Sequence, residues 1–211
     1  MRKMIALIYK DIITLKKTLA LVLIMGVFLT AQGIMKNEIF VVSFIYALFP
    51  MSLMISSFAY DSKAKFEIFA FSTPLKRSSY IISKMFFCLV FGILGAIITL
   101  VFLINNKAPI ESLFIVPILT ILISLTTPAI FLILAVKFGV EKARIILAVI
   151  YFAFAGLGTL LKERVDILKS VVALFENMSA YIIGLGLTVF CLILVFILLK
   201  ISIAIINKKE Y

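Results

Sequence analysis

Apolar residues occur along this chain in long runs separated by short polar pieces. Six runs can each carry a helix across the ~30 Å hydrocarbon core of a bilayer, which takes about 20 residues: 18–35, 39–59, 85–104, 113–136, 145–161 and 180–199. They are apolar on every face and show no two-residue alternation, so they predict helices and not barrel strands. The pieces between them hold at most 25 residues, below the floor of about 50 for an ordinary folded domain. The fold class predicted is all-α: a polytopic membrane protein with a single transmembrane domain over residues 1–211. Any soluble catalytic domain it works with is expected on another chain.

The polar pieces carry patterns of their own. In residues 1–17, Ile5, Ile8, Ile12 and Leu15 recur at helical spacing on one side, and Lys3, Lys10 and Lys17 every seventh residue on another. This is the pattern of an amphipathic helix lying in the membrane interface, or simply of a basic orientation signal. The longest connection, 60–84, reads Tyr-Asp-Ser-Lys-Ala-Lys-Phe-Glu-Ile-Phe-Ala-Phe-Ser-Thr-Pro-Leu-Lys-Arg at its start. Asp61 is a candidate N-cap for a short helix carrying Phe66, Phe69 and Ala70, and Pro74 limits how far that helix runs. Ser72 or Thr73 can then cap a second helix with Pro74 in its first turn. Aromatic side chains here are costly to leave in water, so they are expected to bury in the chain, the membrane surface or a partner. Pro128 closes Ser124-Leu125-Thr126-Thr127-Pro128 in the fourth run, where a kink would serve as a hinge or as a packing device. Gly92 with Ala96, and Gly184 with Thr188, are small residues at i and i+4 where helices can approach closely. In 162–179, Val165, Leu168, Val172 and Phe175 predict short amphipathic turns at the outer face.

Composition sharpens this picture. The chain is 64% apolar and 15% charged, against about 45–50% and 25% for soluble domains, which excludes a soluble globular protein. The net charge is +11, and the cations alternate: sixteen lie in the first, third, fifth and last polar pieces and five in the others. By the positive-inside rule both termini and the 60–84 loop face the cytoplasm of a cell membrane. Cations split among short membrane-flanking pieces argue against a nucleic-acid partner. There is no histidine, and Cys88 and Cys191 have no ligand cluster around them, so no metal site is predicted. No Gly-x-x-x-x-Gly-Lys-Ser/Thr cradle occurs, so this chain is not expected to be an enzyme that hydrolyses ATP itself. No charge falls inside the six runs, an unusual pattern for an ion-coupled transporter.

Taken together, the basic N-terminal helix, the six spans, the loop between spans two and three and the amphipathic turns before span six resemble a known family. Tyr60-Asp61, then Ser72-Thr73-Pro74-Leu75-Lys76-Arg77 and Ile81 to Lys84, look like the acidic loop, proline–arginine turn and lysine-led third span of the membrane subunits of type-2 ABC exporters. Among these the chain is most similar to the small bacterial permeases of the phenol-soluble modulin exporter type. The resemblance implies a half-transporter of the bacterial plasma membrane that pairs with a second permease subunit, identical or different. It implies a separate P-loop ATPase subunit carrying ATP and Mg, and an amphipathic peptide or lipid-like cargo. In that family the loop carries the coupling helix; here the matching stretch is Asp61 to Phe71, with Asp61, Phe66, Glu67, Phe69 and Phe71 as docking residues, Pro74 and Arg77 as the turn, and Pro128 as a candidate hinge. The alternative is a membrane-embedded immunity or scaffold protein that acts without an ATPase. A small intramembrane enzyme ranks last, because no catalytic constellation is visible.

Overall fold

The computed structural model describes residues 2–36, 39–72, 75–163 and 180–208. These form eight helices and no strand: α1 (Arg2–Thr14), α2 (Lys16–Lys36), α3 (Ile39–Lys63), α4 (Phe66–Ser72), α5 (Arg77–Asn105), α6 (Ile110–Phe138), α7 (Val140–Glu163) and α8 (Ala180–Lys208). Among the described residues, five helices are long and apolar enough to cross a membrane: Lys16–Gly33, Val42–Lys63, Arg77–Asn105, Ile110–Phe138 and Gly184–Lys208. The run at 145–161 lies in α7, which is helical throughout it but is not one of the five. The turns expected at 162–179 fall almost wholly outside the described residues, as does Pro74.

α6 is the central helix and packs against α3, α5, α7 and α8. The core around it joins Met54, Phe58, Tyr80, Ile81, Cys88, Ala129, Phe131 and Leu132. Small residues let the helices close. A Cβ on Gly95 of α5 would come within 2.9 Å of the Tyr46 Cβ of α3, and one on Gly92 within 3.1 Å of the Ser124 Cβ of α6. Gly184, by contrast, is 3.8 Å from its nearest neighbour by the same measure, so the Gly184/Thr188 pair marks no close approach. Between α6 and α7 the chain turns at Gly139, whose φ of 84° only glycine adopts without strain. Both internal prolines of α6 are accommodated in a continuous helix, with Thr126 and Thr127 hydroxyls donating to the Leu122 and Ile123 carbonyls just before Pro128.

Two local expectations are revised. Asp61 is not an N-cap: α3 runs through it to Lys63, and α4 starts only at Phe66, after a turn with Lys65 at φ 49°. α5 starts at Arg77 rather than near Pro74, its N-cap position Lys76 being extended and making no side-chain cap. On α1, Leu7 and Asp11, with Leu15 just beyond it, face the bundle, and Ile5 and Ile12 are exposed, which leaves them open to a membrane interface. A hydrophobic-face argument places a carboxylate outward; here Asp11 faces in because cationic partners wait there.

Candidate functional site

Helix ends α1, α3 and α5 meet around four charged side chains. Lys84 lies two turns into α5, between Tyr80, Ile81 and Cys88, and is 1% exposed. An ammonium has three protons to donate, and all three are used: Lys84 Nζ bonds Asp11 Oδ1 at 2.9 Å, Asp61 Oδ2 at 2.6 Å and Ser57 Oγ. Asp11 is 1% and Asp61 4% exposed. Lys10, at the rim, reaches Asp61 Oδ1 at 2.5 Å and Asp11 Oδ1 at 2.9 Å. Tyr80 donates its hydroxyl to Asp61 Oδ2 at 2.9 Å, and Ser57 donates to Asp11 Oδ1 at 3.0 Å. Two cations face two carboxylates, so the cluster is neutral as a whole, the condition under which buried charge is tolerable. The Phe58 and Tyr80 rings add cation–π contacts to Lys84, with centroids 5.4 and 5.2 Å from Nζ.

This cluster is the floor on which α4 sits. Tyr80 touches the rings of Phe66 and Phe71, with centroid distances of 6.3 and 5.8 Å, and Lys10 Nζ lies 4.0 Å from the Phe66 centroid. Ala70 is buried beneath the helix. Arg77 stands over the Phe71 ring and donates to the carbonyls of Ile206 and Asn207 at 2.9 and 3.0 Å. It thus ties the loop to the C-terminal end of α8, where a cation also complements the helix dipole. On its other side α4 presents Ile68 and Phe69, 53% and 68% exposed. A cleft of about 240 Å³ lined by Asp61, Ser62, Lys65, Glu67, Ile68 and the α6–α7 turn at Gly139 separates the α3–α4 corner from that turn.

The predicted loop residues therefore divide by side. Asp61, Phe66 and Phe71 converge inward on Tyr80; Glu67 is half-buried and Phe69 points out. Pro128 lies apart from this loop, buried in the α6 core. The sequence reading missed Lys10, Asp11, Ser57, Tyr80 and Lys84 as a unit. One signal was present: Asp11 sits at i+4 from Leu7 and i−4 from Leu15, interrupting an apolar stripe.

Over residues 6–207 the sequence matches the family described as ABC-2 family transporter protein. The chain belongs to this ABC-2 transporter family. No curated protein and no solved structure matches it. As an ABC-2 permease-type chain with five described helices long and apolar enough to cross a membrane, it is a multi-pass membrane protein, and the family implies association with an ATPase subunit. Other ABC-2 chains are the transmembrane component of such transporters, and the ATPase is typically a different subunit.

Proposed function

We propose that this chain is the transmembrane subunit of an ATP-driven exporter, and that α4 is the coupling helix on which a separate P-loop ATPase subunit docks. The ATPase holds ATP and Mg. This chain spans six times, with α7 as the fifth span and both termini cytoplasmic, and forms half of the pathway with a second permease subunit. The observation that carries the reading is the division of α4. Its inner face is fixed to α1, α3 and α5 through Tyr80 and the charge cluster, while Ile68 and Phe69 stand in the open with Glu67 beside them. Apolar side chains exposed on a loop outside the spans call for a partner. The docking set is therefore Ile68, Phe69 and Glu67, and Asp61, Phe66 and Phe71 act as positioning residues behind them.

ATP-driven closure of the ATPase pair pushes on α4, and the charge cluster passes that displacement to three helix ends at once, shifting the balance between two arrangements of the spans. An apolar groove of about 410 Å³ between α3 and α6, lined by Phe44, Ile45, Val116, Leu119 and Ile123, suits an amphipathic peptide or lipid-like cargo better than an ion.

The test is purification of the tagged chain from its host in mild detergent, with co-purifying proteins and ATPase activity measured together. The I68S/F69S variant is expected to lose the ATPase subunit. The D11N/D61N/K84M variant is expected to keep it and to hydrolyse ATP without moving cargo. A wild-type chain that emerges alone, and still protects cells from an amphipathic peptide, would overturn the exporter reading in favour of an immunity or scaffold protein.

A further inference from the structure

At the end of the bundle that carries α4, a second pocket of about 210 Å³ opens between α2, α3 and α7. It is lined by Thr18, Ser56, Ala59, Tyr60, Lys63 and Arg144. Its chemistry differs from that of the charge cluster. Lys10 and Lys84 are neutralised by carboxylates, whereas this lining has two cations, three hydroxyls and no carboxylate. Lys63 is exposed and has no ion pair among the described residues. Arg144 Nε is shut off from solvent without a hydrogen-bond partner. Its Nη1 reaches only Glu141, at 3.9 Å, beyond hydrogen-bonding range, and that carboxylate is itself largely in solvent. The Nε–H thus lacks an acceptor while the Arg144 side chain as a whole is 38% exposed, so the rest of the fork is open to an incoming oxyanion, the partner that fits it best. Apolar side chains stand exposed on the helix faces that run on from the pocket: Leu21 and Met25 of α2, three and seven residues beyond Thr18, and Ala148 of α7, four beyond Arg144.

We propose that this pocket binds the phosphate of an anionic phospholipid. Arg144 and Lys63 hold the phosphate oxygens, Thr18 and Tyr60 supply hydroxyl contacts, and the acyl chains lie along Leu21, Met25 and Ala148. A phosphate without a tail would meet the same cations but gain nothing from the apolar surface. The site needs only that α2, α3 and α7 sit in a membrane, so it stands or falls apart from the ATPase partnership.

The experiment uses the purified full-length chain, delipidated in detergent and titrated with phosphatidylglycerol or phosphatidylcholine, with bound lipid counted by native mass spectrometry. Phosphatidylglycerol is expected to bind preferentially. Each cation removed should weaken it about fivefold, as expected for a Lys or Arg at an anionic surface, so K63Q/R144Q should abolish most of the preference. K137Q, at the exposed end of α6, should bind like wild type. K63R/R144K, which keeps both charges, should retain most of the binding and guards against a folding defect. Equal retention of the two lipids by wild type, or unchanged phosphatidylglycerol binding by K63Q/R144Q, would overturn the site. Complete displacement of the lipid by excess inorganic phosphate would overturn the lipid as its occupant and leave free phosphate in its place.

Discussion

Replacing Lys84 by methionine removes the ammonium at the centre of the charge cluster and keeps the length of the side chain. Asp11 and Asp61, 1% and 4% exposed, then face each other with Lys10 alone. Ser57 loses its donor and Asp61 retains only Lys10 and Tyr80. Removing one partner from a buried ion pair costs about 3–5 kcal/mol, most of it the uncompensated charge left behind. For a chain of this length, ~1 kcal/mol moves an unfolding midpoint by about 2–4 °C, so K84M should unfold some 6–20 °C earlier. The chain has no tryptophan, so intrinsic tryptophan fluorescence cannot follow unfolding. Cys88 offers a better reporter: it is fully buried beside the cluster, and in a C191S background a thiol-reactive dye reads its exposure on heating. The control is D11N/D61N/K84M, which removes the stranded carboxylates together with the ammonium and should recover most of the loss, since an uncharged, well-packed replacement for a buried ionic set is often neutral. A K84M midpoint within about 2 °C of wild type, equivalent to less than ~1 kcal/mol, would refute the reasoning. So would a triple variant no more stable than K84M.

Three further outcomes are expected. Gly95→Ala places a methyl group against the Tyr46 Cβ, which cannot rotate away, and should cost about 1–3 kcal/mol of stability by overpacking; Gly186→Ala, with open space around it, should be neutral or stabilising in the same thermal assay. Arg77→Ala frees the Ile206 and Asn207 carbonyls, so amide hydrogen exchange should quicken in the last turn of α8 and stay unchanged at its middle; uniform exchange across α8 would contradict the tie. Pro128→Ala restores a backbone donor for the Ser124 carbonyl in α6, so the thermal midpoint should hold or rise. If Pro128 is a hinge, ATP-coupled transport falls in that variant, and unaltered transport would assign it to packing.

The long helices were legible in the sequence because a bilayer demands unbroken apolar runs; each run coincides with a helix, and five of these are long and apolar enough to cross a membrane. The ends were less legible. Lys84 and Asp61 stand at the borders of apolar runs, where a hydropathy average assigns a charge to the loop, yet α5 begins seven residues before Lys84 and α3 continues past Asp61. What draws them inside is a partner far along the chain: Lys84 meets Asp11 across 73 positions and Asp61 across 23. No local window contains both members of the first pair. The same cause hides the inward side of α1, where Asp11, which carries the contact, is a lone carboxylate between Leu7 and Leu15 and its partners lie on α3 and α5. In the loop, aromatic spacing correctly marked a short helix, but spacing alone could not distinguish Phe66, which turns to Tyr80, from Phe69, which turns away.

The placement of the charge cluster also bears on how force could travel through the bundle. Between helices in a membrane the hydrophobic effect gives little resistance to sliding, because lipid tails replace the lost contacts at small cost. Ion pairs with fixed partners behave differently: separating Asp61 from Lys84 leaves two buried charges unpaired, and the cost of several kcal/mol must be met all at once. Asp61 stands one turn before the α3–α4 corner, and its two oxygens are bound by Lys10 of α1 and by Lys84 and Tyr80 of α5. A push on α4 that displaced it by itself would have to break these bonds and strip Phe66 and Phe71 from Tyr80. Moving the ends of α1, α3 and α5 together breaks none of them, and the cleft beside Gly139 leaves the α3–α4 corner room on the side of the α6–α7 turn. If α4 is the coupling helix proposed above, a load on it would be shared by three helix ends, which apolar packing alone would not provide.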